Sequence, residues 1–471
     1  MAEQKTYSFW DRTLRNLRSA WDKIASDTGI PSKVTISPDL NDDDCLQLID
    51  HMQACLDATG GEVSARKRAA ELGYAYLSLT ENGRKKFLTI LATEFGTNRE
   101  LINEAIQELS QSEGTDSLFL AEQKLRDSLE ASRIILLKQF NGLPEGVKFL
   151  VDMRKELIPW AKKDIMLEGL ASDLKTLLSN WFDVGFLELK QITWNAPAAL
   201  LEKLINYEAV HEVKGWDDLK NRLASDRRCF AYFHPRMPNE PLIFVWVALV
   251  NGITDDVHIL LDQEAPLGNP DTADTAIFYS ISNAQAGLNG INFGNFLVKR
   301  VVDSLSRELP NIENFATLSP IPGFNRWLNQ RLLEEPFDLL KPEQNEILMA
   351  AASMGSPALA LKYLLAKENW YNDTLLANTL REPLLVLCAY YLLLEKRARG
   401  TAADSVAHFH LNNGARIEKL NWLADLSVRG LKQSNGIMLN YLYDIKTIDE
   451  NHESYRAGEP IIASTVVRNL L

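Results

Sequence analysis

The sequence predicts an α+β chain in two parts: an all-α helical bundle over residues 1–185, then an α/β domain with extra helices over 186–471. Three observations predict it. Apolar stripes of helical period run from the start to about Phe182, short β-rich runs take over beyond Val184, and a glycine-bearing turn joins one of those runs to an amphipathic helix. With 471 residues, 46 % hydrophobic and 24 % charged, the chain is long enough for two or three domains and has an ordinary soluble composition.

In the first part Trp10, Leu14, Leu17, Trp21 and Ile24 recur at steps of four and three, which reads as an amphipathic helix. Leu125, Leu129 and Leu136–Leu137 form a further stripe that stops at Asn141-Gly142-Leu143-Pro144. Phe149, Met153 and Leu157 begin another, and Leu174, Leu177, Leu178 and Trp181 a third. No catalytic constellation is visible there, so the helical half reads as a packing or assembly domain.

In the second part the expected strands are Cys229–Phe233, Leu242–Leu249, Val257–Leu261 and Ala276–Ser282. Asn251-Gly252 between two apolar runs reads as a hairpin connection. The glycine turn follows, then a helix with the stripe Phe293, Phe296, Leu297, Val301 and Leu305, then a strand at Phe315–Leu318. Helical patterns return from Asn325 to Arg397, and no repeat of fixed period is visible.

Charge and composition narrow the partners. Against 63 Asp+Glu stand 50 Lys+Arg, a net charge of -13, which argues against nucleic acid because phosphate contacts need a basic surface. The strongest apolar run, Pro383–Leu394, holds twelve residues, short of the roughly 20 of a membrane helix. Cys45, Cys55, Cys229 and Cys388 form no C-x-x-C pair and read as reduced. The first residues lack the apolar core of a secretory leader and the last are not a peroxisomal tripeptide. A cytoplasmic location is the resulting expectation.

Three segments carry chemistry. Gly287 and Gly290 lie between a strand and an amphipathic helix, where glycine admits close approach and positive φ, and where the first helical N–H groups favour an anion. A plain strand-to-helix turn accounts for the same residues, and the spacing matches neither G-x-G-x-x-G nor a P-loop. Lys299 and Arg300 lie two turns into the helix and read as a solvated face. His408 and His410, two apart, share one face if the segment is extended. A metal there needs a third ligand, for which Asp425 is the only nearby residue, so no metal is expected. Thr317 and Ser319 are hydroxyls at the C-terminal end of a strand, where open α/β sheets place ligands, although each taken singly is equally a satisfied loop hydroxyl.

These segments together resemble malonyl-CoA decarboxylase. The likeness runs through RRCFAYFHPRMPNEPLIFVWVAL (227–249), AIFYSISNAQAGLNGINFGNFLVKRVV (276–302), FATLSPIPGF (315–324), VAHFHLNNGARIEKLNWLADLSVRG (406–430) and GIMLNYLYD (436–444). It implies an oligomerising helical bundle followed by a GNAT-like catalytic domain with a mixed central sheet. It also implies homo-oligomers, dimer or tetramer, and a malonyl-CoA substrate handled without metal or organic cofactor. The glycine turn then resembles a pyrophosphate loop for coenzyme A, with Gly287, Leu288, Asn289, Gly290, Ile291, Asn292 and Phe293 as the binding segment and Gln285 just before it. The family's proton donor matches His410, its catalytic Ser or Thr position Thr317, and its supporting tyrosine Tyr443. Trp246 departs from the polar residue common at its position and would narrow the acyl pocket if it faced it.

The implied reaction loses CO2 to leave an enolate that the thioester delocalises. Preorganised donors stabilise the oxygen, and His410, with an ordinary pKa of about 6.5, is expected to supply the proton. Neutral donors are expected to hold the carboxylate, because an Arg pair with Arg236 or Arg416 would favour the ground state. Two other classes fit less well: a GNAT-type acyltransferase, which needs an acceptor groove, and a non-catalytic acyl-CoA sensor.

Overall fold

The structure is a computed structural model that describes Trp21 and residues 36–57, 62–291, 297–334, 336–397 and 400–471. Of the predicted first helix only Trp21 falls within these; its other apolar positions lie outside the described residues, as do Asn292, Phe293 and Phe296. The chain forms two compact units, one of Met1–Leu187 with His234–Pro238 and Gln285–Asn292, the other of Glu188–Phe233, Asn239–Ala284 and Phe293–Leu471.

The first unit is helical. Its core is an aromatic cluster in which Trp21, Phe140 and Phe149 meet, with Tyr76 edge-on to both Phe149 and Phe87. The helix Gly146–Ala161 runs through it, burying Phe149, Met153 and Leu157 as their spacing predicts. The expected stop at 141–144 is a short 3₁₀ turn, Phe140–Gly142, and Trp21 Nε1 donates to the Pro144 carbonyl (2.9 Å) just beyond. The stripe before it is two helices, Thr115–Ser128 and Ser132–Gln139, because the chain turns at Leu129, which is 54 % exposed.

The second unit is built on a mixed sheet of β1 (Glu188–Ile192), β2 (Arg227–Phe233), β3 (Ile243–Val250), β4 (Thr275–Asn283), β5 (Asn314–Thr317), β6 (Ser319–Pro320), β7 (Arg416–Asn421) and β8 (Met438–Leu442). The order is β1-β2-β3-β4-β5-β8-β6, with β7 also paired to β8; β4 and β5 run parallel and the other pairs antiparallel. Strands β2 to β4 are buried almost throughout, which is why they read as continuous apolar runs rather than alternating ones.

Two expectations about this unit are corrected. Val257–Leu261 is a helix: Asp256 caps it by accepting from His258 N (2.8 Å), and Val257 and Leu260, three apart, are buried while Ile259 faces out. Asn251-Gly252 therefore does not join two strands of a tight hairpin. Gly252 has φ +72° and donates its N–H to Asp274 Oδ1 (2.7 Å), and the longer connection returns antiparallel as β4. Among the described residues no single helix is long and apolar enough to cross a membrane; Pro383–Leu394 belongs mostly to the buried helix Thr374–Leu393.

Candidate active site

The parallel pair β4–β5 sets up the site. Beyond Thr317 the chain crosses to β6, and Pro320 and Pro322 fix its exit to Gly323. The helix Ser405–Asn412 meets that exit through one carboxylate. Asp404 caps the helix by accepting from Val406 N (2.9 Å) and Ala407 N (3.1 Å), and its other oxygen accepts from Gly323 N (3.0 Å). A side chain at Gly323 would collide with the Tyr391 hydroxyl, so glycine is needed there. Asp404 thus sets the His410 helix against the turn that carries the hydroxyls.

Because the segment is helical, His408 and His410 do not share a face; residues two apart lie about 200° around the axis. His408 Nδ1 is bonded to the Tyr455 hydroxyl (2.8 Å) and Asp425 accepts from Ser427 N (2.9 Å), so the structure does not gather the weighed metal set. His410 points inward. Its Nδ1 lies 2.7 Å from the Tyr443 hydroxyl and its Nε2 3.1 Å from Ser319 Oγ. Ser319 in turn donates to Thr317 Oγ1 (2.9 Å), which also accepts the Tyr441 amide (3.1 Å).

These contacts fix a direction. Ser319 has one proton and gives it to Thr317, so it accepts from His410 Nε2–H. Nδ1 then accepts from the Tyr443 hydroxyl, which burial keeps protonated by raising its pKa. The chain runs Tyr443 to His410 to Ser319 to Thr317. The imidazole ring also stacks on Tyr441, with centroids 4.4 Å apart.

Burial alters the histidine. His410 is 3 % exposed, and desolvation pushes its pKa down to about 3. The expected value near neutrality is therefore corrected: burial keeps the imidazole neutral at pH 7.

A cavity of about 270 Å³ opens on this chain, lined by Ser319 and His410, by Phe278 to Ile281 and Asn283 of β4, and by Ser405, Val406 and Phe409. Its lining carries no Lys, Arg, Asp or Glu. Arg416 pairs with Glu418 (2.8 Å), and Arg236 donates to the Asn141 carbonyl (2.6 Å). Trp246 is not in the lining. It is fully buried in the sheet's core cluster, and its Nε1 donates to Glu208 Oε2 (2.8 Å), so the condition on which it would narrow the pocket is not met. The other oxygen of Glu208 accepts from Ser280 Oγ (2.6 Å), so a residue the sequence reading passed over orients a pocket hydroxyl.

Of the predicted site residues, the structure brings His410, Thr317 and Tyr443 together, with Ser319 as the hydroxyl in direct contact with the imidazole. Gly287, Leu288, Asn289, Gly290 and Ile291 line the cavity nowhere and group with the helical unit; Asn292 and Phe293 lie outside the described residues. A Cβ on Gly287 would collide with the Val151 carbonyl of the helix Gly146–Ala161, so glycine is needed there. Gly290 has φ +78°.

Comparison with known proteins adds to this geometry. Residues 185–471 match the family model of the malonyl-CoA decarboxylase C-terminal domain, and residues 95–182 that of its N-terminal domain. Malonyl-CoA decarboxylase of Anser anser anser is 37 % identical over 418 residues, covering 86 % of this chain and 83 % of the relative. That of Rattus norvegicus is 37 % identical over 404 residues, covering 82 % of each. Among solved structures, malonyl-CoA decarboxylase from Rhodopseudomonas palustris superposes with a TM-score of 0.82 at 40 % identity, covering 90 % of this chain and 99 % of its own. That from Agrobacterium vitis gives 0.81 at 38 % with the same coverage. Both curated relatives are labelled mitochondrial, as is one from Mus musculus, and this overturns the expected cytoplasmic location.

Proposed function

The chain belongs to the malonyl-CoA decarboxylase family and decarboxylates malonyl-CoA to acetyl-CoA, and on that premise we propose that His410, relayed by Ser319, protonates the carbon left when CO2 departs. The observation that carries this reading is the directed chain Tyr443–His410–Ser319–Thr317, whose His410 and Ser319 line a cavity without Lys, Arg, Asp or Glu.

The proton balance shapes the mechanism. A malonyl thioester carboxylate plus one proton gives an acetyl thioester and CO2. A neutral imidazole cannot give up its only N–H without becoming an anion, so the proton enters when the substrate arrives. The carboxylate is an opposite charge beside a buried base and favours the imidazolium. Tyr443 then turns from donor to acceptor at Nδ1. With no guanidinium in the cavity lining, hydroxyls and amides hold the carboxylate, and they stabilise its ground-state charge less than an Arg pair would. As the C–C bond breaks, its electron pair enters the thioester as an enolate, which is the electron sink this reading uses. Nε2–H passes to Ser319 Oγ while the serine proton, turned from Thr317 toward the cavity, passes to carbon. Thr317 is the partner that holds the Ser319 hydroxyl before this turn. The glycine loop from Gly287 through Phe293 would take the pyrophosphate of the coenzyme.

In this reading residues 186–471 are the GNAT-like catalytic domain and residues 1–185 the assembly domain of a homo-oligomer. The exposed Leu118, Phe119 and Leu120 on one helix of that half support self-association, which sedimentation equilibrium measures.

Product analysis by mass spectrometry tests the chemistry. With His410→Ala the rate of acetyl-CoA formation should fall on the order of 10²–10⁴-fold while malonyl-CoA still binds. A variant within tenfold of the parent rate would remove His410 from the reaction.

A further inference from the structure

The helical unit holds two cations that the reaction scheme above does not use, and both touch the glycine loop. Arg154, on the helix Gly146–Ala161, is 5 % exposed. Among the described residues no carboxylate pairs with it. Its two terminal nitrogens donate to backbone carbonyls instead, Nη1 to Gly287 O and Nη2 to Asn289 O (3.0 Å), and its Nε has no partner. A buried guanidinium without a counter-charge is costly.

The backbone shows where a counter-charge would sit. Asn289 (φ -56°, ψ 130°) and Gly290 (φ +78°) form a type II turn closed by Ile291 N–H to Leu288 O (3.0 Å). The carbonyl of Asn289 and the amide of Gly290 belong to one trans peptide and point in opposite directions. Arg154 takes the carbonyl, so the Gly290 N–H faces away, and no hydrogen bond within the described residues uses it. Beside the same glycine is the ammonium of Lys175, on the helix Ile165–Trp181, 3.5 Å from where a Cβ on Gly290 would stand. Lys175 is exposed and forms no ion pair among the described residues.

We propose that Lys175, Arg154 and the Gly290 amide form a phosphate-binding site for the nucleotide end of the coenzyme A thioester. Arg154 is a positioning residue that locks the turn and lends it positive potential. Lys175 and the Gly290 N–H touch the phosphate. This rests on the loop being the coenzyme segment and gives the helical unit a part in substrate binding. It also answers how a chain of net charge -13 attracts an anionic substrate: the cations are local.

The test compares malonyl-CoA with malonyl-pantetheine, which has the same reacting head and no phosphate. Lys175→Gln should lower the ratio of kcat/KM for malonyl-CoA to that for malonyl-pantetheine about tenfold, a loss typical of one charge-assisted hydrogen bond. The change should appear in KM, and Lys175→Arg should restore most of it. Malonyl-3′-dephospho-CoA identifies the phosphate: a defect that persists with it assigns the pyrophosphate, and one that disappears assigns the 3′-phosphate. Because Lys175 is exposed, the Gln variant should keep the parent Tm. An unchanged ratio with Lys175→Gln overturns the proposal, as does an equal loss on both substrates. Gly290→Ala separates this failure from that of the loop reading. If it raises KM for malonyl-CoA while Lys175→Gln does not, the loop reading stands without the lysine; if neither does, the loop reading falls as well.

Discussion

Ser319 and Thr317 are two residues apart and bonded to each other, yet their replacement should have opposite consequences. Ser319 Oγ is the hydroxyl next to His410 Nε2, at 3.1 Å, and it lines the cavity. Ser319→Ala removes the relay, and the loss should be that of a general acid, on the order of 10²–10⁴-fold in kcat, or about 3–5 kcal/mol in the barrier. Its stability cost should be small, because Thr317 keeps its bond from the Tyr441 amide. Thr317 is fully buried and accepts from both Ser319 and that amide. Thr317→Val keeps the shape and leaves a buried N–H without its acceptor, which costs about 1–3 kcal/mol of stability. The rate should fall only about tenfold, through a less constrained Ser319. Single-turnover formation of acetyl-CoA measures the first effect and urea unfolding the second. A folded Thr317→Val variant as slow as Ser319→Ala would make Thr317 the reacting hydroxyl and refute the relay.

Two further outcomes follow from burial. Trp246→Phe should destabilise by about 1–3 kcal/mol, because Glu208 loses a buried donor. It should leave the preference for malonyl-CoA over methylmalonyl-CoA unaltered, whereas a wall residue would shift that ratio tenfold or more; competition between the two thioesters measures it. His410 also links stability to pH. Its folded pKa of about 3 lies below the ordinary value of about 6.5, so the unfolded chain binds a proton first as pH falls. The contribution of the neutral, buried ring is complete above about pH 6.5 and is lost on acidification toward pH 3. Between pH 6.5 and 4.5 that loss is about 2 kcal/mol. Urea midpoints of His410→Phe should fall less steeply over this range than those of the parent, and parallel profiles would contradict a neutral buried imidazole.

The division of the chain was legible because each half keeps one periodicity: helical stripes in the first, and buried β runs in the second that became β2, β3, β4 and β5. Val257–Leu261 misled because its four apolar residues around His258 suit a strand as well as a helix, and the cap at Asp256 was the better signal. The His408–His410 pair misled for a similar reason. Spacing tells which residues share a face only after the backbone is known, and the Asp404 cap was the cue to a helix there. That His410, Thr317 and Tyr443 fall in one place was legible from the resemblance, whereas the hydroxyl that meets the imidazole was not: Thr317 and Ser319 are interchangeable as letters, and only the antiparallel β6–β8 pairing turns Ser319 to the imidazole. The histidine's pKa was out of reach because desolvation depends on tertiary enclosure. Arg154 was unreadable in the same way, since its partners are carbonyls from a segment far along the chain.

A crystal structure with an unreactive substrate mimic, a coenzyme A thioester carrying a sulfonate where malonyl-CoA has its carboxylate, tests the placement of the chemistry most directly. The carbon between thioester and sulfonate should lie within about 3.5 Å of Ser319 Oγ, with the sulfonate held by neutral donors and no guanidinium. A head group outside the His410 cavity, or in bidentate contact with Arg236 or Arg416, would contradict the assignment.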